Sequence, residues 1–225
     1  MGRKQERIPA TLRLLIVDDQ PIVRAGLKML LEADALFRVT VTGESSEAVS
    51  IARKKKTDVV IIGAALPDDR AFVEAARLVA IQSPPKVIFL DERVHQLRAH
   101  LAIEVPGASY LIRTDSFHSL ADAVKRVAAG ERIFCDSIQS RIRHGSRGLY
   151  LEPTDGGAEL ITRLTRCEIE VLRLLSLGNS VIECANVLRR SPSTVDNHRS
   201  NVMKKLDLHK ISQLTRFAMH TGLID

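Results

Sequence analysis

The chain has 225 residues, 45% of them apolar and 27% charged, the composition of an ordinary globular protein long enough for one large domain or two modest ones. Its formal charge of +6 and pI near 9.5 point toward a polyanionic partner without naming one, and the excess is uneven, with ten Lys/Arg against six Asp/Glu from Leu160 onward. No stretch approaches the roughly eighteen apolar residues that a membrane-spanning helix needs, which excludes that class.

Along the first 130 residues two periodicities alternate. Short β-branched runs at 12–17, 37–42, 58–62, 86–90 and 109–112 predict strands. Between and after them, helical patterns occupy 21–33, 45–55, 69–81, 92–103 and 117–130. Ser45 or Ser46 is placed to cap the second helix, and Gly130 to end the last. A strand followed by a helix five times over predicts right-handed crossovers and a doubly wound α/β fold, a parallel sheet with helices on both faces. Working residues in such a sheet sit at the carboxyl ends of its strands. From 132 to 159 the pattern dissolves into isolated arginines, Pro153 and Asp155-Gly156-Gly157, which predicts a linker, helical for a turn near 136–143 and flexible at its glycines.

The last sixty residues predict an all-α domain of short capped helices. Thr165 and Glu168 form a capping box, opening a helix with Ile169, Leu172 and Leu175 on its apolar face and Gly178 at its end. Ser180 starts a second helix, with Ile182, Ala185 and Leu188 expected inside. Ser191 and Pro192 start a third, on which Val195, Val202 and Leu206 form a buried stripe and His198 a packing position. A last helix over 211–220 supplies Leu214, Phe217 and Ala218 as a lid or dimer face. Two helices joined by a short turn, the second carrying small polar residues outward, describe a helix-turn-helix.

The spacings L-T-x-x-E-x-x-V-L at 164–172 and S-x-x-T-V-x-N-H-x-x-N-V-x-x-K-L at 191–206 closely resemble the LuxR/FixJ-type DNA-binding domain, over nearly all of 160–225. The resemblance implies double-stranded DNA as partner, entry of the 192–206 helix into the major groove, and a homodimer on two half-sites. Asn197 suits bidentate pairing with adenine, and Ser200 a base or a phosphate. Thr194, Arg199, Lys204 and Lys205 are phosphate candidates, with Asn201 on the same outward surface. Asp196 has no evident role beside phosphates.

LRLLIVDDQPIVRAGLKMLL at 12–31, Pro67, Gly107-Ala108 and SYLIRTDS at 109–116 resemble a two-component receiver over roughly 12–131, sheet order 2-1-3-4-5, with 1–11 as a tail. The whole chain thus resembles a NarL/FixJ-type response regulator. In receivers an acidic pair holds Mg²⁺, a third-strand Asp accepts a phosphoryl group, a fourth-strand Ser/Thr senses it and a fifth-strand Lys contacts it. Here Asp18 and Asp19 stand for the pair, but Gly63 holds the acceptor position, Asp91 the Ser/Thr position and Arg113 the Lys position. Glycine offers no nucleophilic oxygen, and a near-octahedral Mg²⁺ site loses a carboxylate, leaving Asp18 and Asp19 as a residual metal candidate. Asp58 lies about 16 Å back along the strand and cannot substitute, and Asp68 and Asp69 fall in the following loop. The cleft is expected to be closed by an Asp91–Arg113 ion pair, with Asp18 or Asp19 joining it. Two alternatives are drift in a site without chemical demand, and Asp91 as a displaced acceptor.

The expectation is a transcription regulator, not an enzyme, needing no cofactor and independent of aspartyl phosphorylation. Its receiver would act as a constitutive dimer module, or take a small ligand or partner protein in the former acidic cleft. The alternative is an interaction protein that sequesters other regulators. The odd, widely spaced Cys135, Cys167 and Cys184 fit reduced thiols, and the N-terminus lacks the apolar middle of a secretory signal, so the expected compartment is the cytoplasm.

Overall fold

The computed structural model describes residues 11–66, 70–114, 116–145, 148–152, 160, 163–221 and 223–224. The expectations for the N-terminal tail, Pro67, Asp68, Asp69 and the 153–159 glycine segment lie outside the described residues. The chain divides into two compact units, the first of Met1–Val94 and Arg98–Leu151, the second of His95–Leu97 and Glu152–Asp225.

In the first unit, β1 (Leu12–Val17), β2 (Phe37–Thr42), β3 (Val59–Gly63), β4 (Lys86–Asp91) and β5 (Ser109–Ile112) form a sheet of order β2-β1-β3-β4-β5, with every pairing parallel. The helices are α1 (Pro21–Glu32), α2 (Ala48–Lys55), α3 (Arg70–Val79), α4 (Gln96–Glu104) and α5 (Phe117–Ala128). Alternation along the strands sends side chains to two separate cores. Leu14, Ile16, Ile61, Ile88, Leu90 and Leu111 pack with Leu31 of α1 and Val124 of α5. Leu15, Val17, Ile62, Phe89 and Tyr110 pack with Ala52 of α2, Leu78 of α3 and Ala102 of α4. Both faces are therefore dry, which is why the strands read as nearly continuous apolar runs. Ser45 and Ser46 do not cap α2. They sit in a 3₁₀ turn, Ser45–Glu47, that precedes it, where the Thr42 hydroxyl accepts from the Glu44 N–H (3.1 Å) and donates to Glu47 Oε2 (2.9 Å).

The expected linker is corrected over its first twenty residues. Residues 132–151 belong to the first unit as α6 (Asp136–Gln139), β6 (Ile142–Gly145) and β7 (Gly148–Leu151), the two strands forming an antiparallel pair. Phe134 bridges to Tyr110, whose N–H donates to Ile133 O (3.0 Å) while its carbonyl accepts from the Cys135 N–H (2.9 Å). The edge of β5 is thereby covered, and Phe134, Cys135, Ile138 and Leu151 complete the core around Phe89 and Tyr110. The apolar residues responsible are few and set among arginines, so no periodicity announces them.

The second unit comprises α7 (Arg166–Ser176), α8 (Val181–Leu188), α9 (Pro192–Lys205) and α10 (Ile211–His220) around Val171, Leu172, Cys184, Val195, Val202 and Leu214. The expected placement of Ile182 is corrected: it is 64% exposed, and Cys184 takes the inward position. The inward stripe on α8 runs through half-buried Val181, buried Cys184 and Ala185, and half-buried Leu188, the i, i+3, i+4, i+7 spacing of one helix face.

These two corrections are testable by urea unfolding. Ile138→Ala is expected to cost about 2–5 kcal/mol, as for a core isoleucine. Ile182→Ala should shift stability by no more than about 0.5 kcal/mol.

Candidate functional site

Strand register brings the receiver-like residues together. Val17 pairs with Ile62 and Gly63 with Leu90, so Asp18 and Gly63 stand side by side at the carboxyl edge of β1 and β3. Asp18 is 2% exposed; its Oδ1 accepts from the Gln20 N–H (2.9 Å) and its Oδ2 from Arg113 Nη2 (2.6 Å). Arg24 Nη1 donates to the Asp18 carbonyl (2.6 Å), and Arg113 Nη1 reaches Glu92 Oε1 (3.3 Å). Burial pushes the Asp18 carboxyl above its ordinary value, against the pull of the Gln20 N–H and Arg113. Asp19 is exposed.

Gly63 lacks more than an oxygen. A Cβ built on it would overlap Asp18 Oδ2 and lie 3.1 Å from Asp18 Cγ, so the aspartate leans into the volume a side chain would need. The donor set does not suit Mg²⁺. The Arg113 guanidinium already holds the Asp18 oxygen that would face a cation, and Gly63 brings no carboxylate.

The expected Asp91–Arg113 ion pair is not formed. Asp91, wholly buried, accepts instead from the Tyr110 hydroxyl (2.8 Å), from Arg98 Nη1 (3.0 Å) and from the Glu92 N–H (2.9 Å). The reason is strand parity. Asp91 follows Phe89 onto the α2–α3–α4 face, whereas Arg113 follows Leu111, and Asp18 follows Ile16, onto the α1–α5 face. Asp18, Gly63 and Arg113 form one cluster, and Asp91, Arg98 and Tyr110 another. Arg24, Arg98 and Tyr110 were not singled out from the sequence. Tyr110 could have been, because a buried tyrosine hydroxyl needs a polar partner.

In the second unit, local sequence sets the helix ends. Thr165 and Glu168 form the expected capping box on α7, Ser180 and Glu183 form another on α8, and the Ser191 side chain accepts from the Thr194 N–H (3.2 Å) to start α9. On α9 the successive 100° steps put Asp196, Asn197, Ser200, Asn201 and Lys204 on the face opposite buried Val195 and Val202. Asn197, Ser200, Asn201 and Lys204 are exposed there. The remaining candidates are committed locally. The Thr194 hydroxyl lies 2.7 Å from Ser191 Oγ, and Arg199 Nη2 is 2.8 Å from Asp196 Oδ1, which gives Asp196 a partner. Lys205 turns toward α7, its Nζ 2.7 Å from Glu168 Oε2, and so leaves the set of outward cations.

Comparison with known proteins places this architecture. Residues 14–125 match the family model for the response regulator receiver domain, and 162–218 that for bacterial regulatory proteins of the luxR family. Over 216 residues the chain is 30% identical to the response regulator protein VraR of Staphylococcus aureus, covering 95% of this chain and 99% of that protein. The chain belongs to the LuxR-type response regulators. Among solved structures, Salmonella typhimurium RcsB has the same fold at 19% identity and a TM-score of 0.59, covering 94% of this chain and 98% of the other. A structure of two RcsB dimers bound to two parallel DNAs matches at 21% identity and a TM-score of 0.54, over 94% and 98% of the respective chains.

Within the luxR-type unit of this response regulator, Glu168 joins two helices. It is 3% exposed, and its Oε2 accepts from the Thr165 N–H (2.7 Å) and hydroxyl (2.9 Å) as well as from Lys205. Burial pushes its carboxyl up, but Lys205 and Thr165 together hold it below the ordinary glutamate value. No helix of the described residues is long and apolar enough to cross a membrane.

Gly63→Ala is expected to lower thermal stability by about 1–3 kcal/mol, because the methyl group meets Asp18. For Glu168 the depressed value fixes the sign. Its stabilisation is present above the unfolded carboxyl's value of about 4.3 and is lost as pH falls through the lower folded value. Glu168→Gln should therefore be less stable than wild type by about 1–3 kcal/mol near neutrality, the gap closing in acid, read by urea unfolding against pH.

Proposed function

We propose that this response regulator is a sequence-specific, DNA-binding transcription factor that acts as a homodimer without phosphorylation of its receiver. The observation that carries the second half is the Asp18–Arg113 pair beside Gly63: the guanidinium occupies the Asp18 carboxylate, and the neighbouring β3 position has no side-chain oxygen. A nucleophilic oxygen is missing from β3, and adding one requires Asp18 to move. The receiver then works as a constitutive dimer module or through a bound ligand or partner, and the chain carries out no catalysis.

The first half rests on α9. Its outward face offers Asn197 and Ser200 for base edges and Lys204 for a phosphate, while Arg199 stays paired with Asp196. RcsB, of the same fold, has been solved as dimers on DNA. An acid near phosphates favoured the sequestering alternative, but Asp196 is already partnered by Arg199, so nothing specific now favours it. The predicted setting is the cytoplasm.

Selection of genomic fragments by the unmodified protein, followed by a salt series on the enriched duplex, tests this. The expected result is a recurring half-site, affinity falling log-linearly with salt, and no change after incubation with acetyl phosphate and Mg²⁺. Asn197→Ala should lose about 1–3 kcal/mol on the preferred sequence and relax one base position. A stable acyl-phosphate that alters affinity for the half-site would sink the phosphorylation-independent reading. Sequence-blind binding would sink the regulator reading.

A further inference from the structure

At the opposite end of the sheet from Asp18, where β1, β3 and β4 begin, the first unit holds a half-open cavity of about 1030 Å³. Its floor is apolar, from Leu12, Ala52 and Ile81, and its charged lining is Arg13, Arg53, Lys56, Lys86 and Asp58. Arg13 and Asp58 cancel. The guanidinium donates through Nε (3.0 Å) and Nη2 (2.8 Å) to the two carboxylate oxygens, and the Arg13 backbone N–H adds a third bond (2.8 Å). Burial pushes the Asp58 carboxyl up, but these bonds hold it below its ordinary value, so the pair is a fixed polar wall.

Arg53, Lys56 and Lys86 remain, and none of them makes an ion pair with a described residue. Lys54 and Lys55 flank them, both exposed. A plainer explanation is that basic side chains offset helix carboxyl ends, since α2, α3 and α5 all finish at this edge. Three helix ends contribute roughly −1.5 charges. The three lining cations outweigh that, leaving roughly +1.5 before Lys54 and Lys55 are counted. Lys56 ends α2 in the left-handed conformation (φ 50°), its N–H donating to the carbonyls of Ala52 and Arg53, so its backbone geometry is that of a helix terminus.

We infer that this cavity is a binding site for a small organic anion carrying two or more phosphate groups, of the nucleotide class. Lysine ammonium groups act as point charges on phosphate oxygens, and the Arg53 fork can engage two at once. The apolar floor accepts a base or ring, and the volume lies at the upper end of ordinary ligand pockets, about 300–1,000 Å³. Duplex DNA is disfavoured because its backbone would meet only the charged rim and leave the apolar floor of Leu12, Ala52 and Ile81 without a partner. The site lies in the receiver-like unit alone and does not depend on the reading of α9.

The test is isothermal titration of the full chain with inorganic pyrophosphate and with ATP, in phosphate-free buffer. One equivalent should bind, and ATP should bind more tightly than pyrophosphate because its ring adds the floor contact. The double variant Lys56→Glu/Lys86→Glu should bind at least about tenfold more weakly, the size of one lost charge-assisted contact. Lys28→Glu, on α1, should bind as wild type does. If the double reversal does not fold by circular dichroism, Lys56→Gln/Lys86→Gln serves in its place with the same expectation. Absence of binding by both probes, or equal binding by wild type and double variant, overturns the assignment. Displacement of pyrophosphate by an unrelated duplex would reassign the cations to DNA backbone and also overturn it.

Discussion

A carboxylate buried at the end of β1 has to be answered by a positive charge. In this chain the answer is covalently attached. Asp18 is taken out of water by the closing of β1 against β3, and leaving it ionised and alone there would cost several kcal/mol. Arg113 supplies the countercharge from the end of β5, Arg24 secures the adjoining carbonyl, and Gly63 leaves the room in which the carboxylate lies. Each of the three depends on the others. Without the glycine the aspartate would be displaced, and without the arginine it would be an unpaired buried charge. The geometry thus makes glycine more than a lost acceptor, since it is also the space that the internal ion pair occupies.

Asp91 illustrates how much one residue of parity decides. It sits only one strand away from both Gly63 and Arg113, yet its side chain leaves the sheet on the other face, where Tyr110 and Arg98 satisfy it. The carboxyl edge therefore carries two separate buried carboxylate–guanidinium clusters, one on each face. The second fastens α4 to the ends of β4 and β5 through Arg98.

Glu168 performs a comparable task in the luxR-type unit with different chemistry. One carboxylate completes the α7 cap and holds Lys205 of α9, so the helix proposed to read DNA is tied to the start of the domain by a part-buried charge-assisted bond. The same contact explains why a lysine next to Lys204 in sequence does not share its outward role. Adjacent residues on a helix point about 100° apart, and here one of the two is anchored.

Much of this was legible in the chain itself. Alternating apolar periods determined the five parallel strands and their helices. The caps at Thr165, Ser180 and Ser191 determined where the helices of the second unit begin, and the motif spacings determined the family. These are local signals: a strand's two faces and a helix's first turn are written in consecutive residues. Tertiary structure alone decided that Asp18 meets Arg113, Asp91 meets Tyr110 and Lys205 meets Glu168, because these contacts join residues from 19 to 95 apart in the chain. It also decided that residues 132–151 complete the first core, since Phe134 and Ile138 gain their meaning only from the exposed edge of β5. Sequence periodicity specifies which way a residue faces within its own element, and only the packed sheet specifies what stands opposite.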